Sequence, residues 1–258
     1  MRRRKGKGKG IYILPNLLTS VSLFSGFYAI VATIDKKFTY AAIAIFVSSI
    51  FDMLDGRVAR MTGSTSRFGV EYDSLSDVIA FGVAPGLLVY IWALKGYGRF
   101  GWLAAFLYVA CGALRLARFN IQAEGMQKNQ FLGLPIPAAA TTIAGSVLFS
   151  SWLGDWGIDL KSIFMPIMIY ILAFLMVSDV RYASFKNIAF FKGRPFRSTV
   201  AAILLLVVIF IEPEVTLFGL TFMYLLSGPV YTLIARKKIF LENANRSKDM
   251  LIDQGDHL

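Results

Sequence analysis

Four aspartates at helical spacing stand where an ionised carboxylate is hardest to keep. Asp52 and Asp55 close one long apolar stretch, and Asp73 and Asp77 open the next. A charge at the centre of a membrane-spanning helix costs about 2.5–3.5 kcal/mol, so four cost on the order of 10 kcal/mol before like-charge repulsion is added. One or two divalent cations are the simplest offset. Asp52 and Asp55 are three apart and share a helix face, and Asp73 and Asp77 are four apart and share another. The polar stretch from Met61 to Arg67 reads as a short turn, and an antiparallel hairpin then brings both faces to one depth. Converging carboxylates form a hard-oxygen site suited to Mg²⁺ or Mn²⁺. Gly56 and Ala59 flank the first acidic face and Gly69 lies one turn before Asp73, so a bulky ligand can approach the backbone there. Arg60 can reach a phosphate as a bidentate donor.

The elements that carry these residues are membrane helices. The chain has 258 residues, 56% of them hydrophobic and 17% charged, with mean hydropathy +0.60. Its apolar residues come in continuous blocks between short polar breaks, which is the pattern of a polytopic helical protein and not of a β-barrel. The reading is an all-α transmembrane bundle with eight spans, near 14–33, 39–58, 70–94, 101–119, 133–153, 162–178, 198–211 and 214–235. With the N-terminus in the cytoplasm, only Lys36, Lys37, Lys95, Arg99 and Lys161 of the 27 Lys and Arg fall in outer loops, so both termini are expected inside. The expected organisation is a basic N-terminal segment (1–13), a membrane core (14–182), a cytoplasmic loop with two further spans (183–235) and a tail (236–258) that frays into disorder. The apolar stretch after the basic start is too long for a signal sequence and shows no cleavage site, so it is read as a retained helix. The net charge of +11 suits a cytoplasmic face against anionic lipid; nucleic-acid binding is set aside because the basic residues sit at span ends. Cys111 is the sole cysteine and reads as a buried thiol, while the sole histidine, His257, lies in the tail. Acid–base work therefore falls to carboxylates.

The pattern D-x2-D-G-x2-A-R-x8-G-x3-D-x3-D, from Asp52 to Asp77, resembles the signature of the CDP-alcohol phosphatidyltransferase family at every fixed position. The resemblance implies a six-helix core around a polar cavity open to the cytoplasm, a homodimer, a site for two divalent cations and a CDP-linked lipid donor. By position, Asp52, Asp55 and Asp73 would be metal ligands, and Asp77 a ligand that also serves as base. Gly56, Ala59 and Gly69 would form the nucleotide platform and Arg60 a phosphate contact. The stretch Pro15–Thr19 is similar to one that helps hold the cytidine nucleotide in relatives, which points to Asn16 and Thr19. The other reading of that stretch is a helix start at Pro15 capped by Asn16.

The implied reaction is attack by an alcohol on the lipid-side phosphorus with release of CMP. Direct displacement is expected, since no Ser or Cys in the motif is evidently activated as a nucleophile. Arg115 and Arg118 share a helix face and could receive an acceptor carboxylate or phosphate; an ordinary basic span end is the other reading. The stretches Arg115–Asn120, Gly133–Pro137 and Met176–Tyr182 resemble the phosphatidylserine synthase branch of the family, which implies CDP-diacylglycerol and L-serine as substrates at the cytoplasmic membrane. Rival readings are an enzyme of the same family that makes phosphatidylglycerophosphate or phosphatidylinositol phosphate, and a divalent metal-ion transporter.

Overall fold

A computed structural model of the chain describes residues 13–64, 66–123, 131–182 and 195–255. The basic segment 1–12, the loop 183–194 and His257 lie outside the described residues. Helix α1 (Ile13–Ile34) is followed by α2 (Phe38–Thr62), α3 (Arg67–Asp77), α4 (Ala84–Val89) and α5 (Gly98–Ala123). Then come α6 (Ile136–Trp152), α7 (Asp155–Val177), α8 (Pro195–Ile211) and α9 (Pro213–Gly255). The described strands are two residues each, β1 (Phe131–Leu132) antiparallel to β2 (Arg181–Tyr182).

Each expected span falls on helix. Among the described residues, four stretches are long and apolar enough to cross a membrane: 13–34, 38–62, 67–121 and 213–234. The third, at 55 residues, is a hairpin, because the chain turns at the 3₁₀ turn Lys95–Tyr97 and at Gly98, whose φ of 55° and ψ of −125° suit glycine. On the return pass the Tyr108 hydroxyl donates to the Phe81 carbonyl at 2.9 Å. That carbonyl lies in a π-helical turn, Val78–Val83, which follows Asp77 directly and alters the helix phase there. The sequence reading expected a uniform helix across this segment. A second difference lies in α9, which runs on to Gly255 where fraying was expected near 236. After Pro229 it meets no Pro or Gly until Gly255, so nothing local breaks it.

The bundle is apolar on its outside as well as in its core. Large apolar side chains face outward, as Phe24 (70% exposed), Phe106 (63%) and Phe174 (76%) do, while the α1–α2 seam buries Ser22, Gly26, Ala29, Ala41, Ala44 and Ser48. In lipid, helices associate through close approach of small residues and interhelical hydrogen bonds. Both devices are present: the Ser22 and Ser48 hydroxyls meet at 2.8 Å, and a Cβ on Gly26 would stand 2.6 Å from Ala80 Cα.

Candidate active site and metal centre

The α2–α3 hairpin positions the acids. Helix α2 ends at Gly63, whose φ of 61° is the left-handed C-cap geometry, and its N–H bonds the Ala59 carbonyl. Ser66, extended at φ −121°, caps α3 by accepting from the Gly69 N–H at 2.9 Å. The tight turn places the end of α2 against the start of α3. Oxygens of Asp52, Asp55 and Asp73 then lie within 4.8 Å of one another, and Asp77 contacts the Asp52 carboxyl. Opposite ligands of one octahedral Mg²⁺ are about 4.2 Å apart, so the three oxygens need only a small inward rotation to share an ion.

Two further observations fit a cation. Asp73 Oδ1 is buried with no hydrogen-bond partner. Among the described residues the ion pairs are Lys37–Asp35 and Arg118–Asp179, so no side-chain cation pairs with any of the four acids. Clustered, largely desolvated like charges with no ion-pair partner call for compensation. The donor set is all oxygen, and Asp52, Asp55 and Asp73 with Asp77 beside them could hold hard divalent ions.

Helix α1 joins the hairpin through polar groups. Thr19 Oγ1 donates to Asp55 Oδ2 at 2.7 Å, Ser76 Oγ donates to the Thr19 carbonyl at 3.4 Å, and Ser20 and Tyr72 hydroxyls meet at 2.9 Å. Asn16 reaches Gly69, where an added Cβ would stand 3.2 Å from its Oδ1 and 3.1 Å from Ser66 Oγ. A cavity of about 170 Å³ opens at this junction. Asn16, Thr19, Gly56, Ala59, Arg60 and Gly69 all line it, together with Asp55 and Asp73. Arg60 folds back over Gly56, so that a Cβ there would lie 3.3 Å from its Nη1. Ser64 and Ser66 also line the cavity and were not foreseen. Ser66, three residues before Gly69 at the start of α3, was readable as an N-cap; Ser64 left no signal.

The arginine pair on α5 divides. Arg118 donates to the Val177 carbonyl (3.2 Å) and the Ser178 carbonyl (3.2 Å), and pairs with Asp179 (3.4 Å). These are the orphan carbonyls at the end of α7. Arg115 points inward: it is 7% exposed, its Nε has no hydrogen-bond partner, and it lies in electrostatic range of Asp77 and of Tyr224 on α9. Asn120, one turn beyond, donates to Ser74 Oγ at 2.9 Å and holds α5 against α3.

A helical bundle with an inward-facing carboxylate cluster beside a polar cavity defines a class of integral membrane protein with an acidic site able to hold divalent ions. The chain matches the CDP-alcohol phosphatidyltransferase family over residues 12–178 and belongs to it. It is 37% identical to the CDP-diacylglycerol–serine O-phosphatidyltransferase of Helicobacter pylori strain 26695, over 92% of this chain and 98% of that protein. It is 42% identical to the archaetidylserine synthase of Methanothermobacter thermautotrophicus, over 66% of this chain and 69% of that protein. A CDP-diacylglycerol–serine O-phosphatidyltransferase of Methanocaldococcus jannaschii is 36% identical over 69% of this chain and 77% of its own length.

Proposed function

We propose that this protein transfers the phosphatidyl group of CDP-diacylglycerol to L-serine, giving phosphatidylserine and CMP. The carrying observation is the convergence of Asp52, Asp55 and Asp73, with Asp77 against Asp52, beside the cavity that Asn16, Thr19 and Gly69 line. The serine hydroxyl oxygen bonds to the lipid-side phosphorus as the bond from that phosphorus to the CMP phosphate oxygen breaks. Asp77, beside Asp52 and in range of Arg115, accepts the hydroxyl proton. Asn16, Gly56, Ala59 and Gly69 receive the cytidine nucleotide against the backbone, and Arg60 swings from Gly56 to a phosphate oxygen. Thr19 fixes the Asp55 carboxylate. Arg115 receives the acceptor carboxylate; Arg118, foreseen as its partner, takes the supporting role of holding α7 beside it. Mg²⁺ or Mn²⁺, held by Asp52, Asp55 and Asp73 with Asp77, would supply charge neutralisation of the diphosphate.

In this reading the chain crosses the cytoplasmic membrane eight times. Residues 14–182 form the core with six of the spans, both termini and the site face the cytoplasm, and two copies associate as a homodimer. The basic bias of the inner loops and the family membership support it. The test is turnover of CDP-diacylglycerol with radiolabelled serine, with and without divalent ions, in competition with inositol, glycerol 3-phosphate and inositol phosphate. Serine-specific, chelator-sensitive release of CMP is expected. Preference for any other acceptor removes the serine assignment, and full activity in chelator removes the metal account.

A further inference from the structure

A second cavity lies at the far end of the bundle from the acids. It measures about 190 Å³ and is walled by Phe149 of α6, Phe164 of α7, and Phe218 and Phe222 of α9, with Trp92 and Lys161 also lining it. The family match stops at residue 178, so α9 supplies a wall that the matched region lacks. Helix α9 closes on α6 at Gly145, where a Cβ would stand 3.1 Å from Phe218 Cα. Phe149 and Phe218 stack there with centroids 4.6 Å apart, and Phe222 follows Phe218 at 5.4 Å. Trp92 lies fifteen residues past Asp77 on a nearly continuous helical pass, which is about 20 Å at 1.5 Å per residue. The cavity therefore takes no part in the chemistry at the acidic cluster.

This cavity offers hydrocarbon and one charge. Ser146 Oγ donates to the Thr142 carbonyl at 2.8 Å and Ser150 Oγ to the Gly157 carbonyl at 3.0 Å, so both hydroxyl protons are committed inside the fold. An apolar cavity of about 150 Å³ stays dry and takes a benzene-sized guest, so this one has room for part of a hydrocarbon chain. Lys161 Nζ sits 5.5 Å from the centre of the Trp92 ring, and neither of the described ion pairs includes it. Tryptophan and lysine together mark the headgroup level of a bilayer. We propose that the cavity binds an anionic phospholipid of the leaflet opposite the acidic cluster. One acyl chain enters between α6, α7 and α9, and the headgroup phosphate pairs with Lys161. A zwitterionic lipid brings its own ammonium to that phosphate and gains less from the lysine. The lipid site and the transfer site stand or fall separately.

The test reads Trp92 fluorescence in the full-length protein with Trp102, Trp152 and Trp156 replaced by Phe. This protein is reconstituted in phosphatidylcholine vesicles that carry either brominated phosphatidylglycerol or brominated phosphatidylcholine, since bromine quenches an indole only at close range. Half-maximal quenching should need about fivefold less of the brominated phosphatidylglycerol, the preference that one lysine near a membrane surface confers. Lys161→Gln should remove that preference and leave the unfolding temperature unchanged. Ser146→Leu fills the cavity from its wall and should weaken quenching by both lipids while Lys161 stays in place. Equal quenching by the two lipids before Lys161 is changed overturns the anionic headgroup, and quenching unmoved by Ser146→Leu overturns the cavity. Quenching by neither lipid, in a protein that crosslinks as a dimer, gives this face to a second copy of the chain and overturns the proposal as a whole.

Discussion

Replacing Thr19 with valine separates two roles for the first helix. Valine keeps the volume and branching of threonine and deletes one hydroxyl. Thr19 is 4% exposed, and its Oγ1 lies 2.7 Å from Asp55 Oδ2 and 3.1 Å from the Pro15 carbonyl. A hydroxyl has one proton to give, and the shorter contact to a charged acceptor takes it. Asp55 is itself 4% exposed, so the lost donor is not replaced by bulk solvent on most of its surface. A hydrogen bond to a charged group is worth about 1.5–3 kcal/mol, which is one to two decades in an equilibrium constant. The Mn²⁺ concentration for half-maximal activity should therefore rise about 10–100-fold, in line with the usual loss when a metal ligand is deprived of its support. Rate at saturating Mn²⁺ should be nearly preserved, and Thr19→Ser should restore the metal dependence. The assay is CMP release across a Mn²⁺ titration, with KM for the CDP-lipid measured at saturation. If Thr19 contacts the nucleotide directly, valine raises that KM and leaves metal activation in place. Such a result would refute the reasoning.

Asp77→Asn should lower turnover by about 10²–10⁴-fold while Mn²⁺ still binds, as read by electron paramagnetic resonance; near-normal turnover with metal bound would end the assignment of Asp77 as base. Gly26→Ala puts a methyl group 2.6 Å from Ala80 Cα and Cβ, and overpacking of this kind costs about 1–3 kcal/mol, so the unfolding temperature in detergent should fall; an unchanged value would mean that the seam yields freely. Arg118→Gln should lower the unfolding temperature, since the α7 carbonyls lose their donors, while serine KM stays at the parental value; a raised serine KM would return Arg118 to the acceptor site. Mn²⁺ should stabilise the parent by about 2.7 kcal/mol at a hundred times its Kd, and Asp73→Asn should lose most of that gain; an unfolding temperature indifferent to divalent ions would argue against any cation in the cluster.

The sequence displayed the acidic hairpin because type and spacing there are both improbable by chance. A carboxylate inside an apolar stretch is costly, and helical spacing alone puts Asp52 with Asp55 and Asp73 with Asp77. Thr19 lines the cavity beside the hairpin, but its partner was hidden. Its bond to Asp55 joins residues 36 apart in the chain, and nothing in a helical period reports which neighbour a hydroxyl will meet. Arg115 and Arg118 show the same limit more sharply. They are identical in type and lie one turn apart, and what divides them is the end of α7, whose carbonyls lie 59 and 60 residues beyond Arg118. The π-helical turn after Asp77 was also silent, since apolar residues there read equally well as plain helix.

Cost explains why the acids sit where they do. Interhelical contacts at and near the cavity use small or hydroxylated residues: Ser22 on Ser48, Gly26 on Ala80, Thr19 on Asp55 and Ser76 on Thr19. These contacts keep the backbones close, and they supply donors to neutral carbonyls and to one carboxylate. They supply no positive charge. Arg115 is in electrostatic range of Asp77 and Arg60 of Asp55, yet among the described residues neither makes an ion pair there, and Arg60 lies folded on Gly56. A scaffold selected for stability alone would pair these acids with arginines or replace them with apolar side chains, either of which is cheaper in a low-dielectric interior. The cluster instead keeps a bare buried oxygen on Asp73 and forms no ion pair with Arg60 or Arg115. Under the proposed function that division of charge serves both substrates: anionic ligands would hold cations on the donor side, and a separate guanidinium would meet the acceptor carboxylate on the other.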